Sequence, residues 1–216
     1  NELYKWFSQG NKGNPCLVLP TGSGKSHIVA SLCKNALQEW PETQILMLTH
    51  VKELIQQNAE KMREHWPNAP MGIYSSSLNK KQLGEPITFA GIQSIRNKAD
   101  QLGHIDLVII DEAHSLGQFP TPSKRTKSLK QICAGLPIIF LSGTPSPEGY
   151  SQLFHQFWVS SFSPFGHSNF YQWVKFGYVN VGVKYLYNRQ MADYTNANKE
   201  LIEQKTNYLF LSYTQE

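Results

Sequence analysis

Cys16-Leu17-Val18-Leu19-Pro20-Thr21-Gly22-Ser23-Gly24-Lys25-Ser26 is the stretch that decides the fold. Cys16–Pro20 is a short apolar run that reads as a strand ending in a Gly-rich turn. From Lys25 to about Glu39, Ile28, Val29, Leu32, Ala36 and Leu37 recur at helical spacing. Gly22, Ser23 and Gly24 therefore place a tight turn between a strand and a helix N-terminus. Backbone N–H groups there can wrap phosphates, and the helix dipole favours anions. Lys25 can reach β- and γ-phosphates, and the Ser26 hydroxyl can ligate Mg²⁺. Thr21–Ser26 are the candidate nucleotide contacts. Leu19 stands where the full phosphate-loop pattern has Gly. The plainer reading is a Gly-rich turn with a solvated lysine, and the strand–turn–helix context weighs against it.

Working outward, apolar runs alternate with helical patterns over the first two-thirds of the chain. That alternation predicts an α/β fold with a central, mainly parallel sheet flanked by helices. Strands are expected at Ile45–Thr49, Ile87–Ala90, Leu107–Ile110 and Pro137–Leu141, with a helix from Val51 to about His65. Trp40-Pro41 and Trp66-Pro67 should end the first two helices, because proline disfavours helix in the residue before it. Ser75–Pro86 reads as a polar surface loop. Phe119–Lys130, with Lys124, Arg125, Lys127 and Lys130, reads as a basic segment entering a helix.

Two further motifs sit where strands end. Asp111-Glu112-Ala113-His114 follows Leu107–Ile110, and Ser142-Gly143-Thr144-Pro145 follows Pro137–Leu141. In open α/β sheets ligands sit at the carboxyl ends of strands, so all three motifs should converge on one edge. Asp111 is a candidate Mg²⁺ ligand. Glu112 can orient and deprotonate an attacking water, which makes Glu112, Lys25 and Asp111 the candidate catalytic set. His114, Ser142 and Thr144 are either ordinary loop residues or a link between nucleotide and a neighbouring domain.

The chain has 216 residues, 40% of them hydrophobic, enough for a sizeable core, and a net charge of +4. That charge is compatible with a polyanionic partner but far from a basic arm. Cys16, Cys33 and Cys133 lack metal-ligand spacing and read as buried, reduced thiols of a cytoplasmic protein. No apolar run approaches the ~18 residues of a membrane helix. The chain starts at Asn1 and stops at Glu216, and we read it as part of a longer polypeptide.

After Pro147 the character changes, and aromatics crowd positions 154–194. They either pack as a core or form a base-stacking surface. For Trp173, Phe176 and Tyr178 the core reading is favoured. A helix from Tyr194 to about Lys205 and a strand at Tyr208–Leu211 should close the chain.

Pro20–Ser26, Asp111–His114 and Ser142–Thr144, in that order, resemble the helicase superfamily 2. The DEAH-bearing group is the closest in pattern, with its restriction-enzyme motor subunits and phage helicases. The resemblance covers residues 1–147 well, as a RecA-like ATP-binding lobe, and 148–216 loosely, as an extension packing on it. It implies ATP and Mg²⁺ as ligands and a nucleic acid as partner, DNA in preference to RNA. It also implies a bacterial or phage-infected cytoplasm and a second RecA-like lobe that supplies an arginine finger. Leu48-Thr49-His50 with Leu54 and Gln57, and Gly91–Ile95, resemble the family's strand-contacting motifs. Thr49, His50, Gln93 and Ser94 are accordingly the implied nucleic-acid contacts. The family's adenine-reading glutamine has no clear counterpart, since Gln9 lies at what reads as a helix end. An ATP-driven helicase or translocase, a double-strand translocase that does not unwind, and a non-catalytic nucleotide-dependent protein-binding module all remain open.

Overall fold

The computed structural model describes residues 2–20, 22–96, 98–187 and 189–212. Its centre is a sheet of strands β1 (Cys16–Val18), β2 (Ile45–Thr49), β3 (Met71–Ser75), β4 (Lys80–Lys81), β5 (Ile87–Gly91), β6 (Leu107–Ile110), β7 (Ile138–Ser142) and β10 (Phe210–Ser212). The order across the sheet is β10-β1-β7-β6-β2-β5-β3-β4, and every pairing is parallel except β3–β4. Helices α1 (Glu2–Ser8), α2 (Lys25–Glu39), α3 (Lys52–His65), α4 (Ile92–Ile95), α5 (Lys124–Cys133), α6 (Gln152–Trp158), α7 (Phe170–Trp173) and α8 (Lys199–Thr206) surround it. This is the expected mainly parallel α/β architecture of a RecA-like domain.

Side chains alternate across each strand, and both faces of the sheet are covered. Ile45, Met47, Ile109 and Leu141 enter one apolar cluster with Val29 and Cys33 of α2 and Ile55 and Met62 of α3. Leu46, Leu48, Ile110 and Phe140 enter the other, with Leu129 of α5 and Phe154 of α6. Each such side chain gains roughly 1.5–3 kcal/mol by leaving water, which is why these strands read as unbroken apolar runs. Helices α2 and α3 end one residue before Trp40-Pro41 and Trp66-Pro67, as expected. Trp40 N and Trp66 N donate back to Ala36 O and Met62 O.

Three segments differ from expectation. Met71–Ser75 is a strand, and the segment after it pairs briefly as β4 instead of running free. Gly72 dilutes the strand pattern, and packing accounts for it: a Cβ there would lie 2.9 Å from Gln82 O. Helix α8 starts at Lys199, not near Tyr194, because Asn198 caps it by accepting from Leu201 N at 3.1 Å. The closing strand is displaced by a 3-10 turn at Asn207–Leu209 and runs over Phe210–Ser212.

The aromatic stretch divides in two. Phe154, Phe157, Phe165, Phe170, Trp173 and Tyr178 are buried. Trp173 and Tyr178 stack at 5.0 Å with planes 13° apart. Phe176 departs from the core reading, at 69% exposed. It follows Trp173 in an irregular turn where Gly177 takes φ 85°, and this turns its ring outward. Residues 182–193 form a separate hairpin, β8 (Gly182–Leu186) with β9 (Arg189–Asp193), which the sequence pattern did not disclose.

Helix α6 lies against the 3-10 turn Ala113–Leu116, so it holds the segment that carries Asp111–His114. Gly117 ends that turn, and a Cβ there would come within 2.6 Å of Gln152 Cβ on α6. Next along α6, His155 is buried against the faces and edges of Phe154, Phe170 and Trp158. Its Nδ1–H donates to Gln118 O at 2.7 Å, which leaves Nε2 bare. Burial among these rings pushes the imidazole down from 6.5 to about 4. The unfolded chain therefore binds a proton here at higher pH than the folded one. The neutral His155 contributes its full stability above about pH 6.5, and that contribution is lost as pH falls to about 4. The loss should be on the order of 2–4 kcal/mol at 1.36 kcal/mol per pKa unit. Urea midpoints from pH 7 to pH 4 should fall steeply for the native chain and less steeply for His155→Gln. Parallel slopes would contradict the assignment.

Candidate functional site

Parallel pairing of β1, β7 and β6 sets three loops side by side at one end of the sheet. Val18 lies level with Ser142, and Ile110 with Phe140. Past β1, Leu19 is buried, and its N–H donates to Ser142 O at 2.9 Å. The residue that breaks the phosphate-loop pattern thus anchors the loop to β7. Gly22 and Gly24 take φ 83° and 78°, and a Cβ on either would meet nothing within 4 Å. Glycine is needed there for the left-handed backbone, and space plays no part. Gly24 caps α2 without a side-chain partner, so the first-turn N–H groups face the loop. Ser23 Oγ is buried and finds no hydrogen-bond partner among the described residues. Thr21 lies outside the described residues.

Lys25 Nζ reaches across β7 to Asp111 Oδ1 at 3.2 Å and Glu112 Oε1 at 2.5 Å. Burial disfavours the ammonium, but the two carboxylates outweigh it and raise the Lys25 pKa above the ordinary lysine value. Asp111 is 2% exposed. One oxygen, Oδ1, accepts from Lys25 and from Glu112 N; the other, Oδ2, accepts from Asn58 Nδ2 at 3.0 Å. Asn58 Oδ1 in turn takes the Ser26 hydroxyl at 2.9 Å. A carboxylate only accepts, so the Asn58 amide must turn its NH₂ to Asp111 and its oxygen to Ser26. With its proton spent on Asn58, Ser26 Oγ keeps its lone pairs for another ligand.

Glu112 sits at φ 55°, ψ 49°, left-handed backbone that costs a non-glycine residue about 1–2 kcal/mol. That conformation turns its carboxylate toward Lys25 on one side and His114 on the other. His114 Nδ1 lies 3.3 Å from Glu112 Oε2 and 3.1 Å from the buried Ser142 Oγ. An unbroken polar chain therefore runs from Lys25 through Glu112 and His114 to Ser142. Thr144, the remaining member of the third motif, is exposed.

The implied strand-contacting residues are dispersed by comparison. Thr49 is buried, at 2% exposed. Ser94 Oγ accepts from Ser76 N, which ties it to the segment after β3, while Gln93 is exposed. His50 shares a hydrogen bond of 3.2 Å with Ser115 Oγ. Burial lowers the His50 pKa, and Arg125 and His114 lower it further. Its bond to Ser115 places His50 at the edge of the Glu112–His114 network.

Asn58 was not among the expected site residues. Its signal is an amide on the buried face of α3, beside Ile55, Ala59 and Met62. An amide there needs partners, but the pattern alone does not say that Ser26 and Asp111 supply them. Ser26 and Asp111, one hydroxyl and one carboxylate, suit Mg²⁺, which keeps several waters and needs few protein ligands. The unpartnered Ser23 hydroxyl, the left-handed glycines and Lys25 together suit a polyphosphate. Among the described residues, no helix is long and apolar enough to cross a membrane.

Comparison with known proteins bears on the family and the fold. A family model described as the res subunit of type III restriction enzymes matches residues 1–147. No curated protein matches the chain. Among solved structures, the Sulfolobus solfataricus SWI2/SNF2 ATPase core in complex with dsDNA superposes with TM-score 0.68 at 18% identity, over 99% of this chain and 42% of that one. The same organism's SWI2/SNF2 ATPase core domain superposes with TM-score 0.66 at 17% identity, with the same coverage. This chain thus spans about two-fifths of those proteins' length. It belongs to the type III restriction enzyme res-subunit family and has the form of a first RecA-like lobe of the superfamily 2 helicase type.

Proposed function

We propose that the chain is the ATP-binding lobe of an ATP-driven motor that moves on DNA. The observation that carries this reading is the bracketing of Lys25 by Asp111 and Glu112, with Ser26 linked to Asp111 through Asn58. Backbone N–H groups at the start of α2 and the Lys25 ammonium would hold the phosphates. Ser26 and Asp111 would hold Mg²⁺, which supplies charge neutralisation at the transferring phosphoryl group. When a γ-phosphate takes over Lys25, the Glu112 carboxylate loses its ion pair and becomes free to accept a proton from the attacking water. A second lobe of the full-length protein would supply the arginine that stabilises transition-state charge.

The contact of Ser142 with His114, and of His114 with Glu112, gives the site a route to report its occupancy beyond the nucleotide. Thr144, exposed beside it, would face the second lobe. Of the implied strand contacts, His50 and the exposed Gln93 would lie along the nucleic acid, while the buried Thr49 and the Ser76-bonded Ser94 would support that edge from within. Movement on duplex DNA without unwinding is a second reading. It is supported by the dsDNA-bound state of the SWI2/SNF2 structure that this fold resembles.

Two outcomes test the assignment. In the full-length protein, Glu112→Gln should cut ATP hydrolysis by about 10²–10⁴-fold while nucleotide binding persists. An unchanged rate would remove Glu112 as the base and favour a non-catalytic, nucleotide-dependent module. Asn58→Ala should raise the Mg²⁺ concentration needed for half-maximal binding of a slowly hydrolysed ATP analogue by about 10–100-fold, the usual effect of losing a residue that orients metal ligands. Mg²⁺ titrations that superimpose on those of the native chain would show that Asn58 serves packing alone.

A further inference from the structure

The β8–β9 hairpin has no role in the site above, and its composition is at odds with its position. It pairs only with itself, outside the large sheet, and every residue of β8 is exposed. Two-stranded hairpins are marginal in water and ordinarily carry polar outer faces. This one exposes Val183, Leu186 and Met191 together with Tyr185 at 75% and Tyr187 at 93%.

Tyr187 is the sharpest anomaly. Leu186 pairs with Arg189, so Tyr187 lies in the connection between the strands. Tyr187 takes φ 47°, the left-handed backbone that hairpin turns demand and that Gly, Asn or Asp normally supply. A tyrosine there is disfavoured by its backbone and by the exposure of its ring, and it packs nothing in the fold. Strain of this kind is expected where a side chain is held for a ligand.

The ligand's chemistry follows from the neighbours. The hairpin carries two cations, Lys184 and Arg189, and one carboxylate, Asp193, whose Oδ1 lies 3.8 Å from Lys184 Nζ at the end away from the tip. Lys184 also lines a cleft of about 570 Å³ with His114, Ser115 and Gln118. Ser115 is the hydrogen-bond partner of His50, so the hairpin continues the surface assigned above to nucleic acid. Aromatic rings interleaved with cations, beside such a surface, match the way unpaired bases and their phosphates are held. An acidic protein partner would use the two cations but has no need of a strained tyrosine at the tip.

We propose that the β8–β9 hairpin binds unpaired bases of a nucleic-acid strand, with Tyr187 and Tyr185 as stacking platforms and Lys184 and Arg189 as phosphate contacts. The proposal rests on the nucleic-acid reading of the preceding section and deepens it by assigning the residues that would touch separated strands.

The experiment compares the native chain with Tyr187→Asn, Tyr185→Ala and, as an exposed aromatic at the opposite end of the sheet, Trp40→Ala. Affinity for a single-stranded oligonucleotide and for a blunt duplex is read by anisotropy at fixed low salt. Contacts are mapped by photocrosslinking to 5-iododeoxyuridine in the single strand. Asn suits a left-handed turn, so Tyr187→Asn should keep or raise the melting temperature while single-strand affinity falls about five-fold or more. Tyr185→Ala should also weaken binding, Trp40→Ala should not, and crosslinks should fall on the hairpin. Native single-strand affinity in both hairpin variants, with crosslinks elsewhere, would overturn this proposal and leave the nucleic-acid reading intact. An equal loss of duplex and single-strand affinity would overturn base stacking. Self-association abolished by Tyr187→Asn at unchanged oligonucleotide affinity would reassign the hairpin to a second copy of the chain. No binding of either nucleic acid by the native chain would overturn both readings.

Discussion

The Lys25 ammonium, held between the Asp111 and Glu112 carboxylates, is the contact on which the arrangement of the site depends. Two consecutive carboxylates at a strand end, one of them almost fully buried, repel one another unless a cation neutralises them. The cation comes from a loop two strands away, because β7 lies between β1 and β6. Lys25 must therefore span the end of β7, and Ser142 lies on the way. The three motifs form one site because this strand order leaves each loop within reach of the other two.

The same contact explains the unusual backbone at Glu112. A left-handed residue after a strand turns the chain abruptly, so that the Glu112 side chain returns over the sheet end while His114 drops toward Ser142. Helix α6 supports the turn from behind, through the close approach of Gln152 to Gly117 and the bond from His155 to Gln118 O. The site is thus backed by the buried aromatic cluster of the C-terminal third. Residues 148–212 help to position the Asp111–His114 segment as well as to cover the sheet.

The sheet and the loops that carry the three motifs were legible in the sequence because each signal was local. Apolar runs such as Val108–Ile110 can satisfy themselves only as strands buried on both faces, and Gly22 and Gly24 mark a backbone that other residues avoid. What escaped depended on contacts distant in the chain. Asn58 has meaning only through Ser26 and Asp111, 32 and 53 residues away. Gly72 concealed β3 because its packing partner, Gln82, lies on a different segment. The exposed hairpin was hidden among core aromatics, since composition does not distinguish a ring that packs from one that faces solvent. Of the strand-contacting set, His50 joins the polar network, whereas Thr49 is buried and Ser94 is occupied by the Ser76 backbone.

The central claim is that Lys25 exchanges its carboxylate partners for a phosphate. Calorimetric titration of the chain with Mg²⁺ and a slowly hydrolysed ATP analogue, beside Lys25→Ala, tests this most directly. The account predicts binding by the native chain that weakens at least ten-fold in the variant, with the melting temperature of the variant still indicating a folded protein. Equal affinities for the two proteins would contradict it.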